Sequence, residues 1–229
     1  MSETDFDRGP RSDGAFTGPL DQETFRALLF NSFLNQQDRL RARREGEQLL
    51  AAIAQTRRAV SRAADLRGAL NLVATSVLEI SGSTGAALAI SAQGEMTCWA
   101  MSGPTAPPLG TPVPLDSGLS GECLRGRRTL RCDDAERDPR VNREACARLG
   151  GVGSMLLVPV LRRNTAIGVL VAFSVRPRAF DETDEHVLEL LAAIAGGALA
   201  DFAEGETASR VTRSLPASVR PAPSQMSPV

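Results

Sequence analysis

Two apolar runs, residues 154–161 and 166–175, are joined through Arg162, Arg163 and Asn164. Runs this short, rich in Val, Ile and Leu, read as buried strands, and so short a polar link leaves them one way to pair, as an antiparallel hairpin. A second hairpin is expected upstream. Residues 86–92 form an apolar run, residues 95–101 alternate, and Gln93-Gly94 supplies the turn between them.

The stretch between the hairpins cannot be sheet throughout. Residues 103–114 are crowded with proline and must loop. A short helix is expected over 118–125, entered through Gly118, then a brief strand over 129–132 and a loop over 133–139. A second short helix over 141–149 ends at Gly150-Gly151. Helices flank the whole. Leu70, Val73, Val77, Leu78 and Ile80 follow helical spacing to a stop near Gly82. After Asp181 as cap, Val187, Leu190, Leu191, Ile194, Leu199 and Phe202 make a second apolar face. This order predicts an α/β (α+β) fold. An antiparallel sheet carries two long helices on one face, residues 49–80 and 183–202, and the irregular insertion covers the other. A ligand cavity is expected between insertion and sheet.

Upstream, Asp21 is the expected cap of a helix, with Thr24 as the competing choice, and Phe25, Leu28, Leu29, Phe33 and Leu34 give it one apolar face. Gly46 is a weak point in a highly charged stretch. Leu49, Ile53, Thr56, Val60 and Ala63 then recur every four and three residues, a short heptad-like seam that suits either packing on the chain's own domain or a parallel dimer. The expected organisation is a disordered start over 1–21, a helical, coiled-coil-like segment over 22–65, a folded domain over 66–203, and a disordered Ser/Pro/Arg tail over 204–229 in which no further domain fits.

Composition narrows the function. Formal net charge is −1, and no pull on nucleic acid or membrane is expected from the chain as a whole. Every basic residue is arginine, and His186 is the sole histidine. Cys98, Cys123, Cys132 and Cys146 show no two-residue gap of a zinc or dithiol motif, so no metal is expected. The start is acidic and Gly/Pro-broken, without a signal-like pattern. No uncharged apolar run approaches the ~20 residues that span a bilayer. The expected setting is soluble and cytoplasmic, with reduced thiols.

Gly118-Leu119-Ser120-Gly121, Asp138-Pro139-Arg140, Pro159, Gly168 and the segment from Phe180 to Glu185 together resemble the GAF domain, over roughly residues 66–203. The resemblance implies a central antiparallel sheet of about six strands. It implies a sensory or regulatory role, binding a small molecule or a partner and signalling through a helical homodimer. Cyclic-nucleotide members carry an Asn-Lys pair where Ser174 and Val175 stand here, so their Lys–Asp ion pair cannot form. Bilin members place a histidine beside the attachment cysteine, whereas Ala147 follows Cys146. Free methionine-(R)-sulfoxide reductases use three cysteines. Here Ser120 stands at one position, Cys123 and Cys146 are offset, and residues 111–114 hold no sulfur. The expectation is a non-enzyme with no catalytic residue and no specified cofactor. The alternatives are a ligandless interaction scaffold, with the N-terminal helix docking a protein partner, and a cysteine-dependent sulfoxide reductase. The expected cavity lining is Trp99, Met101, Cys132, Asp133, Arg140, Asn142, Ser154 and Met155. Trp99 and Met101 share a sheet face by simple alternation.

Overall fold

The computed structural model describes residues 22–214. The expected disorder of 1–21, the Asp21 cap and the tail beyond 214 lie outside the described residues. The chain divides into two units, 1–47 and 48–229.

In the first unit, the opening part of α1 (Gln22–Val60) is helical, with Leu29, Phe30, Phe33, Leu34 and Leu40 exposed. Ion pairs one turn apart, Arg41–Glu45 at 3.1 Å and Arg43–Glu47 at 2.9 Å, follow this stretch. The division falls beside Gly46, where a missing side chain weakens the helix.

The second unit contains the rest of α1, then α2 (Leu66–Ser81), β1 (Gly85–Ala92), β2 (Glu95–Ser102) and β3 (Pro112–Val113). There follow α3 (Gly118–Gly126), β4 (Leu130–Cys132), α4 (Arg143–Arg148), β5 (Ser154–Arg162), β6 (Thr165–Ser174) and α5 (Glu182–Ser214). The six strands form one antiparallel sheet in the order β3-β2-β1-β6-β5-β4. Both expected hairpins close through two residues. Gln93-Gly94 (φ 56° and 84°) and Arg163-Asn164 (φ 46° and 67°) take the double left-handed conformation that matches strand twist.

Strand alternation sorts side chains into two cores. Leu88, Leu156, Val158, Leu170 and Ala172 face α2 and α5, where Leu70, Val73, Val77, Leu188 and Leu191 meet them. Met155, Leu157, Val169, Val171 and Phe173 face the insertion, against Leu119, Cys123 and Cys132. β1 approaches β6 so closely that a Cβ on Gly168 would collide with the Ala89 carbonyl and lie 2.9 Å from Ile90 Cδ1.

Two expectations need correction. The first long helix is two helices, broken over residues 61–65. Asp65 is extended (φ −145°, ψ 165°) and its carboxylate accepts the Gly68 N–H at 2.7 Å, capping α2. The fold-back gives the seam a partner in its own domain. Thr56 and Val60 are buried, and Thr56 Oγ1 lies 2.8 Å from Ser76 Oγ on α2. Second, helix α5 does not stop at 203 but continues through Gly205 to Ser214. Residues 182–204 are long and apolar enough to cross a membrane by length and composition only, with mean hydropathy 1.5, although acidic residues interrupt them at both ends. Much of that apolar character is spent on the core through Val187, Leu188, Leu191, Ala195 and Leu199.

Gly168→Ala forces a methyl group into the β1–β6 contact and is expected to cost about 1–3 kcal/mol, read as a lowered urea midpoint with unchanged slope.

Candidate functional site

Between insertion and sheet, where a ligand was expected, the structure packs a second apolar cluster. Met96, Cys98, Leu119, Cys123, Cys132, Met155 and Phe173 are buried there as one cluster, with Met101, Val113, Leu115 and Val141 packed against it.

The eight expected lining residues fall in different surroundings. Cys132 and Met155 are buried in the cluster, and Met101 packs against it. Ser154 is buried beside it, its hydroxyl donating to the Arg176 carbonyl at 2.7 Å and accepting from Ala179 N–H at 3.3 Å. It ties β5 to the loop after β6. Trp99 is 40% exposed and its indole N–H donates to Thr97 Oγ1 at 3.1 Å. The register of β2 on β1 shifts between Leu88 and Ala89, which pair with Ala100 and Cys98, so Trp99 is the extra residue of a bulge. That insertion reverses the alternation, and Met101 rather than Trp99 joins the insertion-side core. Asp133 is exposed and ion-paired to Arg131 at 3.2 Å. Asn142 caps α4, accepting the Ala145 N–H at 3.0 Å.

Arg140 lies on the rim, held by two carboxylates. It meets Asp138 through Nη2–Oδ2 at 2.6 Å and Nε–Oδ1 at 3.0 Å, and Glu122 of α3 through Nη1–Oε2 at 3.0 Å. Arg128 takes the other Glu122 oxygen at 2.7 Å. The forked guanidinium satisfies both acids at once and fastens α3 to the loop before α4. Hydrogen bonding from Arg140 holds the Asp138 carboxyl at about 2, with help from the Cys132 thiol, and lowers Glu122 in the same way. Glu122 and Arg128 are the residues that sequence reading missed. Nothing local marks a partner eighteen positions from Arg140.

The thiols are poorly suited to nucleophilic work. Burial pushes Cys98 up to about 11 and Cys123 to about 12, and burial followed by the charge of Asp138 takes Cys132 to about 11. Cys146 is only partly buried and is also raised. A thiol titrating near 11 is thiolate in roughly one molecule in ten thousand at neutral pH. Cys146 lines a small cavity of about 380 Å³ with Ala135, Glu136, Arg143, Ala147, Gly151 and Val152, none of which was an expected lining residue. On the opposite side of the sheet, a groove of about 970 Å³ runs between Ile53, Arg57, Val60 and Ala63 of the α1 end and Leu190, Ile194, Asp201 and Phe202 of α5.

A family model of the GAF domain matches residues 63–200. The chain belongs to the GAF domain family. The GAF domain of a phosphoenolpyruvate-protein phosphotransferase from Coxiella burnetii superposes with TM-score 0.63 at 23% identity, covering 70% of this chain and 96% of that one. The free methionine-R-sulfoxide reductase of Neisseria meningitidis, solved with its substrate, gives 0.61 at 23% identity over 69% of this chain and 91% of its own. A putative GAF sensor protein from Burkholderia vietnamiensis gives 0.57 at 22% identity, over 66% and 92%. At these identities the likeness is one of fold. No curated protein gives a match to the sequence.

Two outcomes follow from this GAF geometry. Asp138 is depressed in the folded state, so its stabilisation is complete above the unfolded value near 4 and fades as pH falls towards 2. Asp138→Asn is expected to lose roughly 1–2 kcal/mol at pH 7 and to differ little from the parent at pH 2, as read by denaturant titration at both values. Alkylation by iodoacetamide at pH 7.5 is expected to modify Cys146 first, while the three buried cysteines react only on unfolding. Rapid native labelling of Cys123, located by peptide mass, contradicts the burial described above.

Proposed function

We propose that this GAF chain is a non-enzymatic regulatory module that works by helix-mediated self-association. The observation that carries the reading is a contrast between the two faces. The insertion side is packed around its buried cluster apart from the small cavity beside Cys146, while the wider groove between the α1 end and α5 stays open. Leu190, 46% exposed, and Ile194 present apolar surface there. Ala193 and Gly197, both exposed, let another helix backbone approach closely. Arg57 and Asp201 line the same groove and supply opposite charges to orient what docks. An apolar surface of this kind gains most when a second copy covers it. A small molecule or partner that binds the module then acts by changing how the helices pair. The raised thiols support the non-enzymatic part of this reading.

Light scattering of the full chain at about 50 µM is expected to give twice the 24.3 kDa chain mass. Leu190→Asp with Ala193→Asp, both at exposed positions, is expected to reduce it to one chain with unchanged circular dichroism. A parent that runs as a monomer sinks the self-association. Reduction of free methionine sulfoxide by a thiol reductant, lost in Cys123→Ser, sinks the non-enzymatic reading.

A further inference from the structure

The first unit carries apolar side chains that the sheet cores do not use. Phe30 and Phe33 are 62% and 57% exposed, and Leu29, Leu34 and Leu40 are exposed beside them on α1. At 100° per residue, positions seven apart fall within about 20° of one another. Arg26, Phe33 and Leu40 therefore lie along one line, and Arg44 returns to it. The apolar patch is bracketed at both ends by guanidinium groups. From Arg26 through Arg44 there are five arginines and one aspartate, Asp38, about a third of a turn from that line; Glu23 precedes this stretch and Glu45 and Glu47 follow it. Two of the arginines, Arg41 and Arg43, hold only exposed pairs to Glu45 and Glu47, and such pairs are weak enough to exchange for other anions. Among the described residues Arg39 and Arg44 form no ion pair.

We propose that this stretch of α1 is an interfacial helix that lies along an anionic lipid surface, with the Phe and Leu side chains in the acyl boundary and the arginines at the headgroup phosphates. Charge selects this occupant over a parallel copy of the same helix. In such a pair Arg44, on the same line as Phe33 and Leu40, faces its like-charged equivalent after a patch of only about two heptads, short of the three or four that sustain a coiled coil. At a bilayer the same arginines meet opposite charge, and aromatic side chains contribute apolar burial at shallow depth. The formal charge of −1 for the chain hides this local basic segment. The inference concerns the first unit alone and does not depend on the self-association proposed for α5.

The test is sedimentation of the full chain with phosphatidylglycerol vesicles and with phosphatidylcholine vesicles. Binding is expected to the anionic vesicles only and to weaken as salt is raised. Arg26→Gln and Arg44→Gln are each expected to lower affinity by about fivefold, and Phe30→Ser with Phe33→Ser by at least about a hundredfold. All four positions are exposed, so circular dichroism is expected to stay unchanged in every variant. No binding to phosphatidylglycerol, equal binding to both vesicles, or binding indifferent to the phenylalanines overturns the proposal. If the phenylalanine variant instead converts a dimer to a monomer and the parent ignores vesicles, the patch is a subunit contact and the proposal fails.

Discussion

Everything in the folded unit depends on β6 being buried on both faces. It lies between β1 and β5, and its side chains alternate strictly between two cores. Leu170 and Ala172 face the helices, while Val169, Val171 and Phe173 face the insertion. A slip of one residue would exchange the two sets, and neither the helices nor the insertion could absorb the change in volume. Gly168 fixes the position further, because only a residue without Cβ lets the Ala89 carbonyl come so close. Pro159 shows the same economy on β5. It pairs with Val169 on one side, but β4 reaches only Met155 to Leu157 on the other, so its missing N–H removes no ladder bond there.

These constraints explain what could be read in advance. Buried strands declare themselves by run length and turn chemistry, and both hairpins and the order of elements followed from local pattern. The break before α2 did not, because Arg62, Ala63 and Ala64 are acceptable in a helix and only Asp65 signals a cap. The bulge at Trp99 was invisible for a similar reason. Period-two reasoning counts residues, and one extra residue inverts every assignment after it. The packed interior lay further out of reach. Whether Met96, Met155, Phe173 and Leu119 leave a cavity depends on summed volumes in three dimensions, which periodicity does not measure.

The rim of that interior shows how a residue expected to bind can instead hold the structure together. Arg140 was expected in the lining because a guanidinium suits an anionic ligand. In the fold it receives two anions from its own chain, one from its own loop and one from α3. A ligand would have to displace Asp138, which is only 13% exposed and accepts from Arg140 at three atoms. Breaking that contact would leave a nearly buried carboxylate uncompensated, a cost few small anions could offset. The same network keeps Cys132 beside a fixed negative charge, which opposes thiolate formation. The arginine's own charge pulls the Cys132 thiol the other way, but burial and Asp138 outweigh it.

A packed core does not deform gradually. Since α2 and α5 share one core with the sheet, they behave as a single body, and the insertion is fastened to the same strands by the second core. The end of α1 belongs to that body as well, anchored by buried Val60 and by Thr56 against Ser76. The surface left to respond is the groove those helices leave uncovered, where Leu190 and Ile194 gain or lose cover without any change within either core. Coverage there changes apolar burial by whole side chains, on the order of 1.5–3 kcal/mol each. A few such contacts match the differential affinity that a regulatory equilibrium requires. Under the self-association proposed above, the element with two accessible states lies at this groove rather than within either packed core.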